Sequence, residues 1–361
     1  MRSKLLVALV ATAALAGCGG DDDADTTTAK ATPAAAGTDL TPVKDYLLAH
    51  TSRLQADTDK LATQADEYYQ LAKSVDFDYA KLLAEHRDEV ADMVKSMQDT
   101  YIDANPAYEE MEGVVAGVPS LADYDVIIDA GSDKSDPENA VPFTATTPAG
   151  KTFEQPGNFF FLVETALWGT EPKFAAQGVE PDLDDNGKVE FGEAVPDADF
   201  LVAATKDFAT NVKELDASAK EWEPTEQDAF TALVVMTPTM SEYFEAWKNS
   251  RFVAGGDAKE STFVAASRLQ DIAGILNGLV LIYDSVEPSV TKASAQQAEQ
   301  TGADLKDLHQ FAVKLRDQEA GGKQFTASDA DTLGSDAQDR AEAIAGQVSQ
   351  AAGQLGIKLE S

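Results

Sequence analysis

GNFFFLVETALWG, residues 157–169, and DLDDNGKVEFGE, residues 182–193, decide how the rest of the chain is read. The first is apolar almost throughout, carries the single carboxylate Glu164, and reads as a buried helix. The second has the spacing of a calcium loop. Asp182, Asp184 and Asn186 occupy positions 1, 3 and 5 of such a loop, and Gly187 stands at position 6, where the chain must turn sharply. Lys188 offers its backbone carbonyl at position 7, Val189 is the apolar residue at 8, Glu190 stands at 9, and Glu193 supplies the carboxylate at 12. Hard Ca²⁺ takes six to eight oxygens, and this pattern supplies them. Pro181 precedes the loop directly and Gly178 lies close upstream, so no long helix enters it. The expected site is an isolated, structural calcium loop between two helical regions, with Asp185 and Glu180 solvated beside it.

Working outward, helical patterns dominate. After Thr41-Pro42, the residues Tyr46, Leu47, His50, Leu54, Leu61, Tyr68 and Leu71 recur near helical spacing. Phe77 to Met97 continue the pattern to Tyr101, and Pro106 is expected to open a third helix, PAYEEMEGVVAG, ended by Gly117 and Pro119. Residues 121–131 read as a turn and short helix, although Val126-Ile127-Ile128 would suit a strand. Residues 133–156 read as a loop with a hairpin around Pro148-Ala149-Gly150. Downstream, helices are expected over 199–215, 226–252, 261–283, 289–318 and 327–355. The fold class is all-α, built of bundled helices with no clear fixed-period repeat.

The first residues, MRSKLLVALVATAALAGC, combine Arg2 and Lys4, an apolar run and Leu15-Ala16-Gly17-Cys18. That is a secretory signal ending in a lipobox, with residues 1–17 as signal peptide and Cys18 as the lipidated residue. The lipid would anchor the chain to the membrane rather than span it, placing it at the periplasmic or cell-surface face of a bacterial envelope. Cys18 is the only cysteine, so an internal disulfide is excluded. Residues 18–39 are small, polar and acidic, and read as a disordered tether. The formal charge is -35. Such acidity argues against nucleic acid and against an anionic membrane face as partner, and it attracts cations.

Several stretches resemble the imelysin family, which includes insulin-cleaving outer-membrane proteins and periplasmic components of iron-uptake systems. FFFLVETALWG (159–169) is similar to the segment around that family's GxHxxE motif, including the Leu-Trp-Gly that follows it. AYEEMEGVVAG (107–117) resembles its early Tyr-Glu-x-x-Glu helix, and EAWKNSRF (245–252) and RLQDIAGILNGLVLIY (268–283) its later helices. The resemblance covers most of residues 40–355. It implies two helical bundles with a boundary near residues 170–200 and a pocket between them. The departure falls on the chemistry: Phe159 stands at the motif's Gly, Phe161 at its His, and only Glu164 is kept. A phenylalanine has no lone pair for a metal, so the His-Glu pair cannot form. His50, His86 and His309 lie far from the motif and read as helix-surface residues.

Glu164 then has two readings. It is a pocket acid, assisted by Glu112, Arg251 or Asp271, that binds a cation or polar ligand; or it is a buried carboxylate paired with Arg251 or Arg268. Phe159, Phe160, Phe161 and Trp168 read as core. Glu109 and Glu112 lie i, i+3 on one face, as acid–base pairs do and as any acidic helix surface does. Three functions follow. One is a non-enzymatic, lipid-anchored binding protein linked to iron acquisition, with calcium as structural cofactor. The second is a calcium-stabilised structural or adhesion lipoprotein. The third is a metallopeptidase, for which no HExxH is present. The first is the expectation carried forward; protein partners are not legible.

Overall fold

The computed structural model describes residues 38–360. The signal peptide, Cys18 and all but the last two residues of the tether lie outside the described residues. α1 (Thr41–Ser74) opens with Pro42 in its first turn, where a missing N–H costs nothing. It turns through Asp76 and Phe77, both at positive φ, into α2 (Tyr79–Val115), whose N-cap Asp78 accepts from the Lys81 N–H at 3.0 Å. Pairs such as His50–Glu110 and Gln64–Ser96 set α1 and α2 antiparallel.

Pro106 does not open a helix; it lies inside α2. The proline removes one backbone bond, but Ala104, Ala107, Tyr108 and Met111 around it are buried, and packing carries the helix through. α3 (Ala122–Asp125) runs directly into a π-helical turn, Val126–Ala130, closed by the Gly131 N–H donating to the Val126 carbonyl at 2.9 Å. The stretch is thus the expected turn and short helix, prolonged by a π turn, and not a strand. The expected hairpin is present: β1 (Thr144–Thr146) pairs antiparallel with β2 (Thr152–Glu154), Ala145 opposite Phe153. α4 (Phe159–Trp168) follows, then the loop region to α5 (Ala198–Glu221).

The expected helix over 226–252 is broken. α6 (Glu226–Met236) ends in a 3₁₀ turn at Pro238, α7 (Met240–Asn249) follows, and Ser250 interrupts the chain before the single turn α8 (Arg251–Ala254). The helix expected from 261 starts only at Arg268: α9 is Arg268–Ala293 and runs through Pro288. α10 (Ala295–Ala320) and α11 (Ala327–Leu355) complete the chain, α11 opening on a Thr326/Asp329 capping box.

α1, α2, α4 and α5 form one helical group, and α6, α7, α9, α10 and α11 the other. The chain passes between them at residues 222–225. They meet along α2 and α9, and one apolar core runs continuously through both. Gly278 permits that approach, since a Cβ there would stand 2.6 Å from the Glu110 carbonyl oxygen. Among the described residues α9 alone is long and apolar enough to cross a membrane, but its apolar surface is consumed as the central core helix.

Candidate functional site

A cavity of about 400 Å³ opens between α2, the π turn, the start of α4, the segment 260–266 and the start of α9. The N-cap of α4 ties its parts together. The Asn158 side chain accepts from the Phe161 N–H at 2.8 Å and donates to the carbonyls of Gly131, at 3.0 Å, and Asp129. The wider π turn advances Asp129 into the cavity wall.

Beneath the cavity lies a cluster of carboxylates. Glu109 and Glu112 come from successive turns of α2, Asp125 and Asp129 from α3 and the π turn, and Asp271 from α9. The spacing i, i+3 puts the α2 pair on one face, turned inward. One cation faces them. Arg268 Nη1 stands 3.2 Å from Glu109 Oε2 and 3.2 Å from Asp271 Oδ2, with its guanidinium 4.5 Å from the ring centres of both Tyr243 and Phe263. Hydroxyls serve the others: Tyr243 donates to Glu112 at 2.9 Å and Tyr108 to Asp125 at 2.6 Å. Asn105 donates to Glu109 at 3.0 Å. Glu112 Oε2, Asp271 Oδ1, Asn105 Oδ1 and Arg268 Nε have no partner.

Five carboxylates around one guanidinium are under-neutralised, and burial acts on them accordingly. Desolvation pushes Glu112 up to about 7 and Asp271 up to about 6, against the pull of Arg268. It also pushes Glu109 and Asp125 well above the usual carboxylate range and raises Asp129. One oxygen from each of Glu109, Glu112 and Asp129 lies within 4.8 Å of the others, close enough to share one cation.

Glu164 stands in the cavity wall with Asp271, where the pocket reading put it, and not in an ion pair. It is 3% exposed and lines the cavity, yet pairs with no arginine. Its Oε1 accepts from the N–H groups of Val264 and Ala265, and its Oε2 from that of Phe263, each at 2.9 Å. A carboxylate inserted into three consecutive amides holds residues 263–265 out of helix, which is why α9 starts late. Burial raises Glu164 to about 7, while the three amides favour its charged form.

The other candidates divide. Asp271 lines the cavity, and Glu112 lies in the carboxylate cluster beside it. Arg251 is elsewhere: its guanidinium lies 3.5 Å over the Phe191 ring centre and donates to the Val264 carbonyl at 3.3 Å. Phe159 and Phe160 are core, but Phe161 is half-buried and forms cavity wall. His50 bonds Glu110 at 2.7 Å, His86 lies beside Glu89 at 3.1 Å, and His309 borders a second cavity across α2 and α9. Asp125, Asp129 and Asn105 were not singled out in the sequence. Their signal was faint: two acids four residues apart in an otherwise ambiguous apolar stretch.

The 182–193 loop folds around its own acids. Asp182 accepts from the amides of Asn186, at 3.2 Å, and Gly187, at 3.0 Å. Glu193 accepts from Leu183 and Asp184 at 2.8 and 3.1 Å and from Glu190 at 2.6 Å. Asn186 Oδ1 accepts from the Lys188 amide at 2.9 Å. Gly187 sits at φ 81°, a left-handed conformation that favours glycine. Carboxylate oxygens of Asp182, Asp184 and Glu193 converge within 4.8 Å. The loop is fastened to the scaffold by Gln98, which donates to the Gly192 and Leu167 carbonyls at 2.8 and 2.9 Å, and by the Arg87–Asp185 ion pair.

The peptidase M75 family model, Imelysin, matches residues 44–350. Among curated proteins none matches the chain.

Proposed function

The chain belongs to the imelysin family, and from that premise we propose that it is a non-enzymatic, cation-binding protein of the bacterial envelope, lipid-anchored through Cys18. Its ligand site is the acidic cavity. The observation that carries this reading is the convergence of Glu109, Glu112 and Asp129 on one point, with buried oxygens nearby left without partners. Buried acceptors are ordinarily satisfied, and a cation would satisfy these. The donors are oxygens only, which suits a hard ion over a soft one. Ferric iron is such an ion, and iron acquisition is the process in which we place the protein. At neutral pH a bound cation would stand in for the protons that the cluster otherwise retains, so uptake should release protons.

Titration calorimetry with Mn²⁺ tests the site. Asp129→Asn and Glu109→Gln should each weaken binding by about tenfold or more, the value of one charged donor lost from a small set. Unchanged affinity in both variants would place the ion elsewhere. Chelator-sensitive cleavage of a denatured protein substrate would overturn the non-enzymatic part.

Calcium in the 182–193 loop is the structural component of the same proposal. Asp182, Asp184, Asn186, the Lys188 carbonyl and Glu193 would hold it, with a dissociation constant of ~10⁻⁴ to 10⁻³ M. At several millimolar calcium the expected stabilisation is about 1–2 kcal/mol. The melting temperature should therefore rise by a few degrees, and Glu193→Gln should remove most of the gain. A wild-type melting temperature indifferent to calcium would rule the site out.

A further inference from the structure

The cavity is larger than an ion needs. At about 400 Å³ it falls in the range of pockets that enclose small organic molecules, roughly 300–1,000 Å³. Tyr101, Phe160, Phe161 and Phe263 give it aromatic walls, and no lysine or arginine is among its lining residues. Its acids do not stop at the inner group that Glu109 and Asp129 form with Glu112; others continue outward along the wall. Glu109 and Asp271 are buried, each 1% exposed, while Asp133, Glu171 and Glu260 are half-buried. Two buried acceptors on lining side chains, Asn105 Oδ1 and Asp271 Oδ1, have no hydrogen-bond partner.

The protein's own Lys173 displays what this wall recognises. Its Nζ stands 3.4 Å from Asp133 and 3.9 Å from Glu171, 5.4 Å from the Phe161 ring centre and 4.8 Å from that of Phe174. A primary ammonium is thus already seated between carboxylates and aromatic faces.

We propose that the cavity takes a linear aliphatic polyamine, entering ammonium first. The inner ammonium donates to the unpartnered Asp271 Oδ1 and Asn105 Oδ1, since Arg268 and the Asn105 amide already hold the Glu109 oxygens; the methylene chain lies on Tyr101 and Phe160; the outer ammonium meets Asp133, Glu171 and the Phe161 ring, where Lys173 now sits. A metal ion asks for oxygens converging on one point, whereas a polyamine asks for acceptors along a path with apolar surface between them. The inference rests on the reading of this cavity as a cation site, and narrows its ligand class.

Calorimetry on the purified full chain with spermidine, and separately with Mn²⁺, tests it. Spermidine should bind once per chain. Phe161→Leu should weaken spermidine about tenfold, the scale of a desolvated cation–aromatic contact, and leave Mn²⁺ unchanged. Lys173→Ala, at an exposed position that endangers no core packing, should tighten spermidine severalfold by vacating the outer subsite. Mn²⁺ binding without spermidine binding at about 1 mM overturns the polyamine and leaves the cation reading standing. Spermidine binding indifferent to both variants is diffuse attraction to an acidic surface and also overturns it. Binding of neither ligand overturns both readings.

Discussion

Replacing Glu164 by alanine is expected to cost about 3–5 kcal/mol of stability and to expose residues 261–267 to proteolysis. The variant leaves the amides of Phe263, Val264 and Ala265 without their acceptor. An orphaned buried donor costs roughly 1–3 kcal/mol, and three share this one partner. Part of the loss will be recovered as the segment relaxes toward water, so the sum is not fully additive. Phe263 adds to the effect, because its φ of 53° is a left-handed conformation that only the surrounding bonds maintain. Glu164→Gln keeps the volume and one acceptor oxygen but turns an NH₂ toward amide donors; about half the loss is expected. Urea unfolding of both variants, with limited proteolysis, measures this. Changes within about 0.5 kcal/mol for both would show that the carboxylate does not hold the segment. Since Phe263 and Ala266 form cavity wall, ligand affinity should fall as well, although Glu164 itself is engaged by backbone.

Arg268→Met is the second large effect, and its size should depend on pH. Arg268 is 5% exposed and is the cation that Glu109 and Asp271 face directly. Breaking a buried pair by removing one partner costs about 3–5 kcal/mol when the other stays charged. Here the others need not stay charged. The native cluster holds its protons more tightly than the unfolded chain does, with Glu112 near 7 and Asp271 near 6. Below the ordinary carboxylate range, roughly pH 4, both states are protonated and the arginine has little to offset. As pH rises through 6 to 7 the folded cluster must ionise, and stability is lost progressively. Without Arg268 these groups ionise at still higher pH, so the gap between variant and wild type should open from pH 5 to pH 8. Urea midpoints across that window test the sign. A gap of constant size would mean that Arg268 contributes packing against Tyr243 and Phe263 rather than charge.

Legibility in the sequence followed the range of the interactions. The acids of residues 182–193 are close in sequence, and the loop folds back on them through its own amides. The amphipathic helix over 327–355 and the hairpin around Pro148-Ala149-Gly150 were legible for the same reason. Prolines misled where packing outweighed the lost backbone bond: Pro106 and Pro288 lie inside helices whose neighbours are buried. Arg251 looked like a pocket cation because it shares a short stretch with the family's later motif; in space it lies on Phe191.

The residue pattern by itself determined that the chain is helical, acidic and of the imelysin kind. Periodicity, charge and motif identity are properties of neighbours along the chain. Tertiary structure alone decided what Glu164 binds, because its partners are backbone amides about a hundred residues away, and amides carry no signature in sequence. It also decided that acids from α2, the π turn and α9 share one under-neutralised cluster, since three separate elements meet only once the apolar core has closed.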